Sequence, residues 1–348
     1  MMSIIVLNVF IISCTGSSLY GMVLLAQKIF CKRWTSKRQF QLLQWNYLFY
    51  MIPFTFVLKL VSKYHEIKKE FFVILEEIVV HNVSLYDLQM RFKLPQILLG
   101  IWIIGILFIW INQMKKEREL EQFIENTSIP ITKGVVIEVL QDVKEKVDCK
   151  EEILCYENPY LEAPILIGDR YKKLILPMEE EEKEDYYLVL FHEIIHVKRG
   201  DIKNRKRVQR LKAILWFQPI IYFYAKSYNH WSELACDEEV MSLITRKQQK
   251  RYIELIVQMI ERKIDKIAVS AVSFRGTDTE LEQRVARMIR VYKEDVKVVS
   301  YKRVSFVFFI LAVFSVCINF FVFEKAEQCH LHFEENMCEE ESYRKMKE

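Results

Sequence analysis

The sequence of 348 residues has no CxxC pair among its eight cysteines, so neither a zinc ribbon nor a disulfide framework is expected. It has no excess of one charge, and a net charge of +4 gives no bulk basic character that would favour direct nucleic-acid binding. The first apolar segment has no basic region before it and no small-residue cleavage site, which argues against a signal peptide. The chain is 51% hydrophobic, with 23 Phe and 17 Tyr, and this composition leans towards a membrane protein.

Four apolar segments are predicted to be transmembrane helices. They cover about residues 4–27, 40–61, 94–111 and 304–323. The basic residues in 28–39 and just after residue 114 place those segments in the cytoplasm, so 62–93 is an external loop and both termini lie outside. The small residues Ser13, Ser17 and Gly21 recur every four positions. They either let another helix approach the first span closely or are scattered by chance.

The segment FHEIIHVKRGD, which begins at Phe191 and ends at Asp201, contains an HExxH motif. His192 and His196 are four residues apart, so on a helix they lie on one face, where two imidazoles can share a metal ion. Glu193 lies beside that face, where a carboxylate can act as a general base without being a ligand. Because a lone HExxH also arises by chance in buried helices, a second motif is needed.

That second motif is WSELACDEEV at residues 231–240, in which Glu233 and Asp237 are again one helical turn apart. Glu233 would be the third ligand of a His-His-Glu zinc site with an open fourth position. Asp237 would accept the outer N–H of one zinc histidine and fix its tautomer. Together the two motifs predict a catalytic zinc site.

Residues 115–303, about 190 residues, contain both motifs and are predicted to form one cytoplasmic domain, mainly helical with a small sheet. Helices are predicted at 135–147, 248–262 and 279–292, and one from the acidic run at 179–184 through the zinc histidines. Strands are predicted at 163–167 and 173–176. The apolar stretch 211–225 is too short to cross a membrane, and a crossing would separate the two halves of the site. It is predicted to be a buried or membrane-grazing helix that breaks near Pro219.

Several segments resemble the membrane metallopeptidases of the beta-lactam sensor-transducer (Bla/Mec receptor) type. They are HEIIHVKRGD, WFQP at 216–219, ELACDE at 233–238 and APILIGDRYKKLILP at 163–177. The resemblance implies an α-helical membrane protein with an inserted gluzincin-like zinc protease domain, and a role in signalling across the bacterial cell membrane. Membrane lipid and a cytoplasmic repressor, such as a winged-helix protein, are the expected partners, and a homodimer is left open.

Relatives of that type cut themselves after the zinc helices, and the bond between Ser273 and Phe274 lies at a matching place. An ordinary loop is the alternative for this segment. By the gluzincin analogy, a strand near Ile165 or Ile175 would hold an extended substrate along its edge. Two rival functions stay open. One is a housekeeping membrane protease of the HtpX or CAAX-processing kind, which places membrane helices between the motifs. The other is a receptor without catalysis.

The tail, residues 324–348, departs from the receptor pattern, because 25 residues are too few to hold a penicillin-binding sensor domain. Direct beta-lactam sensing through such a domain is therefore not expected. Cys329 and Cys338 would pair in an oxidising exterior, or Cys329, His330 and His332 would bind a metal, and the spacing does not decide between these alternatives.

Overall fold

The computed structural model of the chain describes residues 2–30, 34–51, 88–168, 171–178, 182–269, 278–293 and 302–316. The described part is mostly helical, with one small mixed sheet. The helices are α1 (Met2–Phe30), α2 (Ser36–Tyr50), α3 (Leu88–Thr127), α4 (Val135–Val147), α5 (Lys183–Arg199), α6 (Asp201–Ile214), α7 (Pro219–Leu243), α8 (Arg246–Val269), α9 (Asp278–Lys293) and α10 (302–316). The strands are β1 (Ile129–Ile131), β2 (Ile153–Asn158), β3 (Ile165–Ile167) and β4 (Lys172–Pro177).

A first core joins the sheet to α4, α5, α8 and the second half of α7. α4 contributes an apolar face at helical spacing. Its buried residues are Val136, Val139, Leu140, Val143 and Val147. α5 begins with Glu184 and Asp185 in its first turn, where carboxylates favour the positive end of the helix dipole. It ends at Gly200, whose φ of 69° is a left-handed conformation that glycine adopts without strain. α5 is thus fixed at both ends with Phe191, Ile194 and Ile195 fully buried.

The sheet has the strand order β1-β2-β4-β3, so β1 and β3 are its edges. β2 and β4 pair in parallel, and the two outer pairs are antiparallel. Pro130 lies in β1, where an edge strand tolerates a residue without an N–H. The predicted strands at 163–167 and 173–176 correspond to β3 and β4, whereas β1 and β2 were not predicted.

The predicted helix at 135–147 coincides with α4, and the predicted break near Pro219 is confirmed. α6 ends at Ile214, and α7 begins at Pro219. Proline is well suited to the first position of a helix, because the N–H that it lacks would have no partner within the helix there. The helices predicted at 248–262 and 279–292 are present as the longer α8 and the nearly coincident α9.

A second core joins α1, α2, α6, α10 and the first half of α7. Tyr224 of α7 is fully buried there, and its hydroxyl donates to the carbonyl oxygen of Leu43 at 2.9 Å. The rings of Tyr20 and Tyr50 pack edge-on against it, with centroids 5.4 and 5.6 Å away. The helix that carries Glu233 is therefore anchored among the N-terminal helices and is not confined to a separate domain.

Two described segments, Val9–Ile29 and Gln96–Thr127, are long and apolar enough to cross a membrane. α2 and α10 cover the described parts of the predicted second and fourth spans, and most of the loop 62–93 and the whole tail lie outside the described residues. α3 continues past residue 114 to Thr127, so the expected boundary at 114–115 falls inside a helix. The number of spans, the topology and the domain boundaries stay predictions.

The close approach expected along the small-residue stripe of α1 occurs, but at Gly16. A Cβ atom there would lie 2.1 Å from the ring of Tyr50, whereas a Cβ on Gly21 would meet nothing within 4 Å. Ser13 and Ser17 are buried, and the hydroxyl groups of Ser17 and Tyr50 are 3.1 Å apart. The contact surface of α1 therefore contains Ser13, Gly16 and Ser17, and Gly21 is not part of it.

Gly16→Ala is expected to destabilise the protein by about 1–3 kcal/mol, because the new methyl group forces the buried Tyr50 ring out of place. Gly21→Ala is the matched control on the same helix and is expected to be neutral or slightly stabilising. Thermal unfolding of the full-length protein in detergent measures both. Equal melting temperatures for the two variants would contradict the packing described here.

Candidate metal centre

The two histidines of α5 bring their Nε2 atoms to 3.1 Å from each other. Both side chains are almost completely buried. Two imidazole nitrogens that bind one zinc ion at about 2.0–2.1 Å in tetrahedral geometry are separated by roughly 3.3 Å. The spacing of His192 and His196 therefore fits a shared metal ion.

Glu233 of α7 faces the same pair. Its Oε2 lies 3.6 Å from Nε2 of His192, and its Oε1 lies 3.6 Å from Nε2 of His196. The carboxylate keeps 26% of its side-chain surface exposed, so this corner of the site is open. Two neutral nitrogens and one carboxylate form a donor set typical of catalytic zinc, and the residues present fit that ion.

The outer nitrogen of each imidazole is bound by a different helix. Nδ1 of His196 donates to Oδ2 of Asp201 at 2.6 Å, just after α5 ends. Nδ1 of His192 lies 2.7 Å from the hydroxyl of Tyr252, which in turn donates to Oδ1 of Asp237 at 2.7 Å. With the proton on Nδ1 in both rings, both Nε2 lone pairs face the candidate metal position.

Asp237 was predicted to bind a histidine directly. The structure places its Oδ1 3.4 Å from Nδ1 of His192, and Tyr252 lies closer to that nitrogen, so most of the contact runs through the tyrosine hydroxyl. Asp201 and Tyr252 were both missed. Asp201 had a local signal, since a glycine that ends one helix is followed by an acid that starts the next. Tyr252 had none, because it lies on an ordinary amphipathic helix.

Two arginines compensate the buried Asp237 and the partly exposed Glu233, and neither was predicted. Arg284 of α9 binds Asp237 with two hydrogen bonds of 2.7 and 2.8 Å, and its Nη1 lies 3.7 Å from Oε2 of Glu233. Arg205 of α6 donates to Oε1 of Glu233. Burial raises the pKa of Asp237, but the charge and hydrogen bonds of Arg284 outweigh it and hold that pKa well below its usual range. Asp237 is therefore an anion in the folded protein.

Cys236 is a competing third ligand. Its donor atom and those of His192 and His196 all lie within 4.8 Å of one another. The thiol is completely buried, however, and donates to the carbonyl oxygen of His192 at 3.5 Å. It is absent from the lining of the adjacent cavity, whereas Glu233 belongs to it. Glu233 and Cys236 are therefore the two candidates for a third ligand, and of the two only Glu233 lines the cavity that a substrate would enter.

A cavity of about 380 Å³ opens onto the site. Glu193, half-buried, lines it beside the two histidines. Its lining includes Ala163, Pro164, Ile165 and Leu166, at the start of the edge strand β3. Of the two strand positions predicted to hold substrate, Ile165 lies at the sheet edge, whereas Ile175 lies in β4, which is paired on both sides. The remaining site prediction, Ser273 and Phe274, lies outside the described residues, as do Cys329 and Cys338.

Residues 7–289 match the protein-family model described as BlaR1 peptidase M56. The chain belongs to this BlaR1 peptidase family. The match begins in α1 and ends in α9, so it includes both cores and every residue of the candidate metal centre. The resemblance found in the sequence motifs is thereby confirmed.

Individual relatives match part of the chain at modest identity. The chain is 21% identical over 193 residues to "Regulatory protein BlaR1" of Bacillus licheniformis, covering 55% of this chain and 32% of that protein. It is 26% identical over 210 residues to "Methicillin resistance mecR1 protein" of Staphylococcus aureus, covering 59% of this chain and 35% of that protein. The match to the protein of the same name from Staphylococcus epidermidis has the same identity and coverage. The chain therefore matches about a third of the length of these relatives.

Glu233→Gln is expected to weaken zinc binding at least about 100-fold, because it removes a charged ligand and leaves Arg205 and Arg284 facing the metal position. Cys236→Ala is expected to keep zinc. Metal content after dialysis against a competing chelator measures both variants. Retention by Glu233→Gln together with loss in Cys236→Ala would assign the third ligand to the cysteine.

Asp201→Asn is expected to weaken zinc binding by about 10- to 100-fold, because the carboxylate that holds the ring of His196 becomes a neutral amide. Asp148→Asn is the matched control, since Asp148 lies at the end of α4, outside the lining of the cavity at the site, in a left-handed conformation that asparagine also adopts. The same chelator competition compares them. Equal affinities would show that Asp201 does not orient His196.

Proposed function

We propose that this protein is an integral-membrane zinc metalloendopeptidase that acts in transmembrane signalling by hydrolysing peptide bonds of itself, of a cytoplasmic transcriptional repressor, or of both. The observation that carries this proposal is the convergence of His192, His196 and Glu233 beside Glu193 at one cavity. Membership of the BlaR1 peptidase family and the two long apolar helices support it.

In this proposal His192, His196 and Glu233 hold the zinc ion, which when bound supplies Lewis acidity towards a scissile carbonyl and a water molecule. Glu193 takes a proton from the attacking water and passes it to the leaving amine. β3 aligns the substrate backbone as an added strand, which gives affinity without demanding a particular side-chain sequence. Asp201, Tyr252 and Asp237 keep both histidines in the tautomer that presents Nε2.

Contacts between α2 and the site support the signalling part of the proposal. The ring of Phe40 lies under the guanidinium of Arg199, 5.1 Å away, and Nε of Arg199 is 3.5 Å from the Asp201 carboxylate that orients His196. A displacement of α2 would therefore be transmitted to His196 through Arg199 and Asp201.

A second path joins the start of α2 to α7 and α9. The backbone N–H of Ser36 donates to the carboxylate of Glu238, next to Asp237. Arg287, one turn after Arg284 on α9, donates from Nε to the hydroxyl of Ser36 at 3.1 Å. The start of α2 is thus tied to α7, which carries Asp237, and to α9, which carries Arg284.

The housekeeping alternative loses support from the fold. Proteases of that kind carry membrane helices between the HExxH motif and the later glutamate. The two described segments that are long and apolar enough to span, in α1 and α3, both precede the motif. The non-catalytic receptor is distinguished by experiment, since it tolerates loss of Glu193.

Glu193→Gln is expected to lower proteolysis by about 10²- to 10⁴-fold with zinc content unchanged, because it removes the general base and no ligand. Glu184→Gln is the matched control in the first turn of the same helix, outside the cavity lining. Immunoblotting and mass spectrometry of the membrane-expressed protein and of a co-expressed candidate repressor provide the readout.

If the protein cleaves itself at the predicted bond, the wild type alone yields a fragment whose N-terminus is Phe274, and N-terminal sequencing identifies it. A cut elsewhere would refute that position. Identical cleavage patterns in wild type and Glu193→Gln would refute the assignment of Glu193 and favour the receptor.

A further inference from the structure

A second cavity, of about 470 Å³, lies between α3 and α6, away from the zinc histidines. Four basic side chains line it, and Glu117 is the one acidic residue in its lining. The basic residues are Lys116, Lys206, Arg210 and Lys212. Trp110 and Tyr222 are also in the lining, and Nζ of Lys212 lies over the Tyr222 ring, 5.2 Å from its centroid. Cationic and aromatic groups thus share one recess.

The position of this cavity along α3 follows from how α6 and α7 join. The indole N–H of Trp102 donates to the carbonyl oxygen of Ile214 at 2.8 Å, and that of Trp216 donates to the carbonyl oxygen of Trp102 at 3.3 Å. A Cβ on Gly105 would lie 2.3 Å from the Trp216 ring, so only glycine permits this contact. The turn between α6 and α7 is therefore seated against the middle of the apolar stretch of α3.

From Gly105 to Lys116, α3 rises by roughly 16 Å at 1.5 Å per residue. Along that rise the outward-facing residues are large and apolar, including Phe108 at 66% exposure and Ile111 at 50%. Charged residues begin at Lys115. The cavity therefore lies where an apolar, exposed helix surface changes to a basic one, which is the level of the lipid headgroups if α3 crosses the membrane.

α6 supplies most of the positive charge. Its 14 residues include six Lys or Arg and one acid, Asp201, whose carboxylate is bound to His196. Nζ of Lys206 lies 4.0 Å from the carboxylate of Glu117 at the cavity. Arg205 is bound to Glu233 in the candidate metal centre. The net charge of the cavity lining is therefore positive even after its one acid is counted.

We propose that this cavity binds the headgroup of an anionic phospholipid, with its phosphate contacted by Lys206, Arg210 and Lys212. Clusters of basic side chains at the cytoplasmic end of a membrane helix attract anionic lipid headgroups by this chemistry. The apolar surface of α3 beside the recess accepts the acyl chains, and a free phosphate ion would make no use of that surface. The lipid headgroup is for this reason the favoured source of the phosphate.

The test uses the full-length protein, delipidated in a mild detergent and titrated separately with short-chain phosphatidylglycerol, short-chain phosphatidylcholine and inorganic phosphate. Native mass spectrometry counts the bound molecules. Arg210→Gln with Lys212→Gln removes two cavity charges. Lys203→Gln with Arg207→Gln removes two charges from the same helix outside the cavity lining and serves as the control. Circular dichroism checks that both variants keep their helices.

One tightly bound phosphatidylglycerol is expected, with weaker binding of phosphatidylcholine. The cavity variant is expected to bind phosphatidylglycerol roughly 30-fold more weakly, at about a fivefold loss for each basic group near the lipid surface, and the control by less than threefold. Equal binding of the two lipids, or equal losses in both variants, would overturn the proposal. Displacement of the lipid by an equal concentration of inorganic phosphate would instead assign the recess to small anions and also overturn it.

Discussion

Carboxylates that are wholly or partly removed from water must be compensated, and this requirement organises the whole candidate metal centre. Asp201, Glu233 and Asp237 come from two helices, and each faces a cation or a hydrogen-bond donor from a different helix. An uncompensated buried charge costs several kcal/mol, so these pairs form only when α5, α6, α7 and α9 pack in one arrangement. The packing of these helices and the geometry of the site consequently depend on the same contacts.

α7 connects the two halves of the molecule. Its first half packs among α1 and α2 through Tyr224, and its second half carries Glu233 and Asp237. Because one continuous helix has both roles, a shift in the N-terminal helices reaches a proposed metal ligand without any flexible connection in between. α2 adds contacts of its own through Phe40 and Ser36. The N-terminal helices and the candidate metal centre are thereby joined by direct side-chain and backbone contacts.

Local pattern was sufficient for part of this structure. The four-residue spacing of His192 and His196, and the same spacing of Glu233 and Asp237, identify two helical faces from the sequence alone. The apolar spacing in α4 gave that helix its bounds, and Pro219 marked the start of α7, although α6 and α7 extend well beyond the predicted 211–225. The short strands β1 and β2 were missed because strands of three to six residues with mixed polarity give little periodicity. Tyr252, Arg205 and Arg284 were missed because tertiary packing alone brings them to the site.

The central claim is that His192, His196 and Glu233 hold zinc while Cys236 does not. X-ray absorption spectroscopy at the zinc edge of the zinc-loaded, full-length protein tests it most directly, because sulfur and lighter ligands scatter differently and lie at different distances. The proposal predicts nitrogen and oxygen ligands at about 2.0–2.2 Å, with the outer scattering of two imidazole rings. A sulfur scatterer at about 2.3 Å would contradict the account and assign the third position to the cysteine.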